Sequence, residues 1–471
     1  MSNAKSSLFK GSLFELDGVP PLQQSIPLAI QHVVAMIVGC VTPAILVANA
    51  ANLAVADRII LIQAALVIAG ISTFIQLFPL FGVVGAKLPV IMGVSFAYVP
   101  SLVAIAGDYS VGTIFGAQIV GGVVALLVGL FVKKLRRFFP PLITGTVVFT
   151  IGLSLYPTAV NYMAGGAANT DVTRLATPAL LYGSWQNWMI AALTLAVVTI
   201  LNHYAKGMLK LASILVGMAF GYIVAACMGM VNFSAIGSAG AFQLPQIMHF
   251  GIEFDISACT AIGILFAINS VQAIGDYTAT TIGGLNREPT DGELQRGIVA
   301  YGASNILGAF AGGLPTATYS QNVGIVSTTK VVNRSVLGIS AGIILAAGLI
   351  PKFSGLLTTI PQCVLGGATI SVFASITMTG IKLVTSEKMN YRNTSIVGLA
   401  AALGMGVSQA SASLAQFPQW ATTIFGKSPV VVATIIAIVL NLILPKEEEE
   451  KSYSRSMAGH PEEYVKVSDN V

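Results

Sequence analysis

Apolar runs close to the length of a membrane crossing recur along almost the whole chain, separated by short polar connections. A helix needs about 20 apolar residues to cross the hydrocarbon core of a bilayer. Reading the runs between charged residues and Gly, Pro or Asn punctuation predicts spans at 25–48, 58–80, 87–105, 112–132, 140–160, 187–204, 210–231 and 258–284. A second set follows at 297–314, 321–331, 335–351, 356–381, 394–412 and 428–445. Fourteen spans divide into halves of seven, roughly 1–232 and 250–446. An odd number per half forces the second half to be inverted relative to the first, as in inverted-repeat transporters.

The third and tenth spans break the pattern. The third contains KLPVIMGVSFAYVP and the tenth GGLPTATYSQNVGIVSTTK. Each opens on a Pro-punctuated stretch, passes through residues of strand-like composition (Val94 to Tyr98; Ala317 to Gln321), and then resumes helix-like sequence. Extended backbone at mid-membrane depth is tolerated only where protein or a polar cavity satisfies its N–H and C=O groups. Two such segments facing each other would pair and aim helix N-termini at a shared cavity, and the substrate is expected there. The fold class is therefore an all-α membrane protein of fourteen transmembrane segments, with two short strands.

Composition supports the membrane reading: of 471 residues 55% are hydrophobic and 9% charged, against about 25% charged in a soluble domain. The net charge of +5 does not indicate nucleic acid, because the basic residues sit in connections rather than on one face. With the N-terminus inside, only Arg58, Arg174, Lys352 and Lys427 of the 24 Lys and Arg residues fall outside. The cluster Lys133, Lys134, Arg136 and Arg137 falls inside. That bias predicts cytoplasmic N- and C-termini in a cytoplasmic membrane. Residues 1–24 read as a polar cytoplasmic N-terminus without a signal peptide, and 446–471 as a disordered cytoplasmic tail.

Cys40, Cys227, Cys259 and Cys363 lie far apart without ligand spacing, so neither a disulfide framework nor a metal site is expected. No P-loop, HExxH or GxSxG occurs, which argues against an ATP-driven pump and against an enzyme. No cofactor is called for.

One acidic residue, Asp276, lies well inside an apolar run, IGILFAINSVQAIGDYTATTIGG. A carboxyl group there costs about 2.5–3.5 kcal/mol on insertion scales unless paired or protonated. It is read as a protonatable group beside the substrate path; the plainer reading is a structural Asp held by Thr278 or Thr280. Gln272, four residues earlier, shares its helical face. Its amide donates and accepts at once, as the edge of a lactam-rich heterocycle requires. Gln321 and Asn322 form a second amide pair after the strand-like part of the tenth span. Uncharged donor–acceptor groups suit a neutral, flat, polar ring better than an inorganic ion, and Phe96 offers such a ring a stacking face. His32 is either a proton shuttle or a helix-bonding residue. His203, His249 and His460, at a span end, in a connection and in the tail, suggest no role.

Four passages then carry a resemblance across about residues 15–445: LDGVPP followed by QHVVAM (Gln31 to Met36), GVSFAY (Gly93 to Tyr98), AIGDYTAT (Ala273 to Thr280) and QNVGIVSTTK (Gln321 to Lys330). The last fits, at every defined position, a signature of Gln, Glu or Pro, then Asn, any residue, Gly, four more, Thr and a basic residue. The chain resembles the nucleobase-ascorbate transporters, the second nucleobase-cation symporter family. The resemblance implies an elevator-type transporter, with a mobile core of spans 1–4 (25–132) and 8–11 (258–351). It implies a gate of spans 5–7 (140–232) and 12–14 (356–445), through which a homodimer forms. It implies substrate contacts at Gln272, Gln321, Ser320, Ser95 and Phe96, supported by Asp276 and Asn322.

Gln at the head of the signature resembles the xanthine and uric acid branch, whereas uracil permeases typically carry Glu and ascorbate carriers Pro. Where relatives usually place Glu in the eighth span, this chain has Gln272, which cannot titrate. Either Asp276 alone takes a coupling proton, or the protein is an uncoupled facilitator; guanine, hypoxanthine and uracil stand as alternative substrates. An anion exchanger of the same fold is the reading from another class, and it would require a cation at the two strands, where Ser95 and Gln321 stand.

Overall fold

In the computed structural model, residues 12–132, 140–166, 169–170, 177–233, 236–237 and 239–445 are described. The basic cluster at 133–137, Arg174 and the tail 446–471 lie outside the described residues. Helices occupy all fourteen places predicted by the apolar runs. They are α1 (Leu22–Ala50), α2 (Val55–Leu77), α3 (Val99–Asp108), α4 (Val111–Leu130), α5 (Pro141–Met163), α6 (Trp185–Tyr204) and α7 (Ser213–Cys227) in the first half. In the second they are α8 (Ile256–Leu285), α9 (Asp291–Phe310), α10 (Ser320–Thr329), α11 (Arg334–Gly348), α12 (Gln362–Val384), α13 (Tyr391–Gln409) and α14 (Pro429–Ile443). Shorter helices at Gly207–Leu211, Pro351–Thr358 and Gln419–Lys427 join some of them.

Among the described residues α1, α2, α4, α5, α6, α8 and α12 are each long and apolar enough to cross a bilayer, and α11 continues into Pro351–Thr358 through a 78° bend. The third and tenth spans differ from the other twelve in kind. Each is a strand followed by a ten-residue helix: β1 (Met92–Val94) leads into α3, and β2 (Thr316–Thr318) into α10. The strands pair antiparallel with Met92 opposite Thr318, Gly93 opposite Ala317 and Val94 opposite Thr316.

Both strands begin earlier than composition suggested. The residues from Ser95 and from Tyr319 onward, although aromatic in part, are already turning into helix. Tyr98 N–H donates to Ser95 O (3.4 Å), Val99 N–H to Phe96 O (3.1 Å) and Asn322 N–H to Tyr319 O (3.0 Å). The extended part is instead the stretch just after Pro89 and Pro315, as expected from a residue that cannot enter a helix interior.

Burying three-residue strands in a membrane raises the question of their outer edges. Equivalent helices of the two repeats answer it in the same way. From α2, the Thr73 hydroxyl accepts from Met92 N–H (2.9 Å) and donates to Met92 O (3.2 Å). From α9, Asn305 accepts from Thr316 N–H (2.8 Å) and donates to Thr316 O (3.1 Å). Spans 2 and 3 are thus related to spans 9 and 10 in sealing chemistry as well as in order.

Gly93 sits at the centre of this ladder. A Cβ there would lie 2.6 Å from Cys40 Sγ and 2.6 Å from a Tyr319 ring carbon. Gly93→Ala is expected to cost about 1–3 kcal/mol through overpacking, seen as a lower melting temperature of the detergent-solubilised protein, whereas Gly107→Ala, with open space around it, serves as the neutral control.

The helices pack chiefly in two groups. One is α1–α4 with α8–α11, and the other is α5–α7 with α12–α14; α5 and α12 run together most extensively. At Gly380 the backbone of α12 meets that of α5 around Phe149, the close approach that small residues permit between membrane helices. A separate apolar cluster of Leu142, Ile143, Val384, Ile396, Ala400, Ala433 and Ala437 ties α5 and α12 to α13 and α14. The first group also carries the described part of the N-terminus: Asn333 Nδ2 lies within hydrogen-bond reach of the Ser12, Glu15 and Gly18 carbonyls (3.3, 3.1 and 3.3 Å), and Arg334 is ion-paired to Asp17.

Candidate functional site

The strand crossing opens onto a cavity of about 730 Å³ between the two helix groups. One wall comes from the first group: Ser95 and Phe96 after β1, Thr318 to Gln321 at the β2–α10 junction, and Gln272 on α8. The opposite wall comes from α5, α6 and α12. Phe96 packs in a T-shaped pair with Phe373 of α12, ring centroids 5.2 Å apart, which ties its ring to the second group.

Of the eight residues singled out in the sequence, Gln272, Gln321, Ser320, Ser95 and Phe96 line this cavity together. Neither Gln272 nor Gln321 has a side-chain hydrogen bond to another described residue. Two amides with free donors and acceptors therefore face one space beside an aromatic ring.

Asp276, His32 and Asn322 lie behind the wall rather than on it. Asp276 is buried, and its carboxylate accepts from Ser320 Oγ (2.8 Å) and from the Thr318 hydroxyl. The holders suggested by sequence, Thr278 and Thr280, do something else. Thr278 Oγ1 donates to Ile274 O (2.7 Å) and Thr280 Oγ1 to the backbone carbonyl of Asp276 (2.8 Å), the back-bonding usual for Thr inside a helix. Asp276 thereby clamps α8 to both sides of Tyr319, whose own hydroxyl donates across the ladder to Val94 O (2.6 Å).

Asn322 Nδ2 donates to His32 O (3.2 Å) and lies 3.1 Å from His32 Nδ1, while Asn322 Oδ1 is buried without a partner. These two residues join α10 to α1. His249, assigned no role, pairs with Asp57 (2.8 Å) away from the site.

Sequence reasoning missed the second wall. Ser371, Ser375, Thr379 and Lys382 of α12 and Thr199, Asn202 and His203 of α6 all line the cavity. A signal existed, because these residues recur at intervals of three and four along otherwise apolar spans and so form polar stripes on one helical face. His203, passed over as a span-end residue, and Lys382 stand exposed in the last turns of α6 and α12. There the cavity reaches its mouth. At the opposite end α3 meets the start of α14: Ser101 Oγ and Ser428 Oγ are 2.8 Å apart, both buried, and Asp108 is ion-paired to Lys427.

Comparison with known proteins adds lineage to this geometry. A family described as "Permease family" matches residues 23–413. The uric acid permease PucJ of Bacillus subtilis is 34% identical over 428 residues, which cover 90% of this chain and 93% of that protein. The xanthine permease of the same organism is 32% identical over 425 residues, covering 89% and 93%. Among solved structures, the transmembrane domain of the cyanobacterium bicarbonate transporter BicA superposes with a TM-score of 0.56 at 15% identity, covering 89% of this chain and 98% of that one. At that identity the likeness speaks for the fold alone.

Proposed function

This chain belongs to the permease family of the nucleobase-ascorbate transporters, and from that starting point we propose that it takes up an oxidised purine, xanthine or uric acid, through the cavity at the strand crossing. It is a multi-pass membrane transporter and not an enzyme. The observation that carries the substrate reading is the pair of unengaged amides, Gln272 and Gln321, facing one space beside Phe96. Each amide matches a lactam edge, which offers an N–H and a C=O side by side, and the ring of Phe96 supplies an apolar face. A fixed cation, which an inorganic anion would need at the crossing, is replaced there by Ser95 and Gln321.

The division into two helix groups supports an elevator motion. In this reading 25–132 and 258–351 form the moving core, and 140–232 and 356–445 form the gate and the homodimer contact. The substrate wall belongs to the first body and the facing wall to the second, so sliding one past the other would carry the crossing across the membrane. If the last turns of α6 and α12 lie on the cytoplasmic side, as the Lys and Arg bias has it, the cavity faces inward and the Asp108–Lys427 and Ser101–Ser428 contacts close the outer side. Asp276 is the proposed proton carrier, because it is an acid inside the membrane within two hydrogen bonds of the substrate wall.

The neutral Gln272 favours a second reading, an uncoupled facilitator. Uptake of labelled xanthine into permease-deficient cells, with and without a protonophore, separates the two. Collapse under the protonophore is the expected result; purine uptake indifferent to it would point to the facilitator, and absence of any purine uptake would overturn the substrate assignment.

A further inference from the structure

Among the described residues that line the cavity there is no Asp or Glu, whereas Lys382 and His203 are both basic. Asp276 lies behind the wall with its oxygens bonded to Thr318 and Ser320, and Glu387, five residues after Lys382, accepts from Leu142 N–H (3.3 Å). Lys382 has no acidic partner among the described residues. His203 has one ring nitrogen, Nδ1, 2.9 Å from Thr199 O, which leaves Nε2 unengaged. The polar stripe Ser371, Ser375, Thr379 leads along α12 from the crossing to Lys382. Between low-dielectric walls a charge of one sign raises the local concentration of ligands of the other.

We propose that Lys382, assisted by His203, is a specificity determinant at the cavity mouth that selects purines carrying a negative charge, urate before all, over neutral purines of the same shape. The inference rests on the reading of this cavity as the purine path. Uric acid has lost a ring proton at neutral pH, while hypoxanthine has not. The two present the same fused ring to Phe96 and similar lactam edges to Gln272 and Gln321. Amide contacts therefore discriminate weakly between them, whereas a lysine at the mouth responds to the charge. An Arg or Lys at this height also serves as a topology signal, so loss of the charge must be read through the ratio of two substrates and not through total activity.

The test measures inhibition constants for urate and for hypoxanthine against uptake of labelled xanthine at pH 7, in cells expressing equal surface amounts of wild type, Lys382→Gln and Lys382→Arg. The expected result for Lys382→Gln is a weakening of urate on the order of fivefold to tenfold with less than a twofold change for hypoxanthine. Lys382→Arg should retain the wild-type ratio, and raising the ionic strength should shrink the difference between Lys382→Gln and wild type. Parallel shifts for the two inhibitors, or no shift in either, would overturn the selectivity role while leaving the purine path intact. Wild-type cells that accumulate no xanthine would overturn both.

Discussion

Asp276→Ala is expected to reduce purine uptake to background in a protein that still inserts and folds. The carboxylate is the shared acceptor for Thr318, the last residue of β2, and Ser320, the first residue of α10. Its removal leaves two hydroxyls without their acceptor beside the substrate wall, at a cost of about 1–3 kcal/mol each. Interhelical hydrogen bonds inside membranes average nearer about 0.6 kcal/mol, so the loss is too small to unfold fourteen packed helices. It is large enough to let the β2–α10 junction shift, and Ser320 and Gln321 shift with it. Asp276→Asn separates geometry from charge. The amide keeps the size and one acceptor, so residual facilitated uptake is expected, while accumulation above the external concentration should vanish. Full uphill accumulation by Asp276→Asn, with unchanged sensitivity to a protonophore, would rule the residue out as the proton carrier.

Gln321→Ala and Gln272→Ala are each expected to raise KM for xanthine by roughly fivefold to 150-fold, the range that follows from about 1–3 kcal/mol per lost or unmatched hydrogen bond. Neither amide is engaged by another described side chain or backbone group, so truncation should leave the melting temperature close to wild type. That contrast is the check. A large KM effect with preserved stability marks a ligand-facing group, whereas equal losses in both would mark a packing residue. The double variant tests whether the two amides grip one ring. If they do, their effects should fall short of additive, as they do for neighbours that share a partner.

The parts of this architecture legible in the sequence were those with a local signature. Spans follow from apolar run length, and the broken ones from Pro89 and Pro315 followed by strand formers. Asp276, Gln272 and Gln321 stood out as polar residues inside apolar runs. Partners distant in the chain left no such mark. Thr318 is 42 residues from Asp276, and helical spacing nominated Thr280 instead, which the helix uses to bond its own backbone. The second wall was missed for a related reason. Ser371, Ser375 and Thr379 look innocuous singly, since Ser and Thr are common in membrane helices, and their meaning comes from the face they share. The strand boundaries slipped because aromatic residues, Phe96, Tyr98 and Tyr319, also stand in the turn between each strand and its helix.

The N-terminal segment beside Asn333 attaches the first described residues to one of the two helix groups. Residues 12–18 are fastened to the start of α11 by Asn333 and the Arg334–Asp17 pair, while the chain leaves the second group after α14. The two ends of the described chain are thus held by different helix groups. A donor dye placed in the 12–18 segment and an acceptor placed after Ile443 would form a ruler across the boundary between the two groups. If the two groups slide past one another as proposed, energy transfer between the dyes would report each stroke without any label in the membrane.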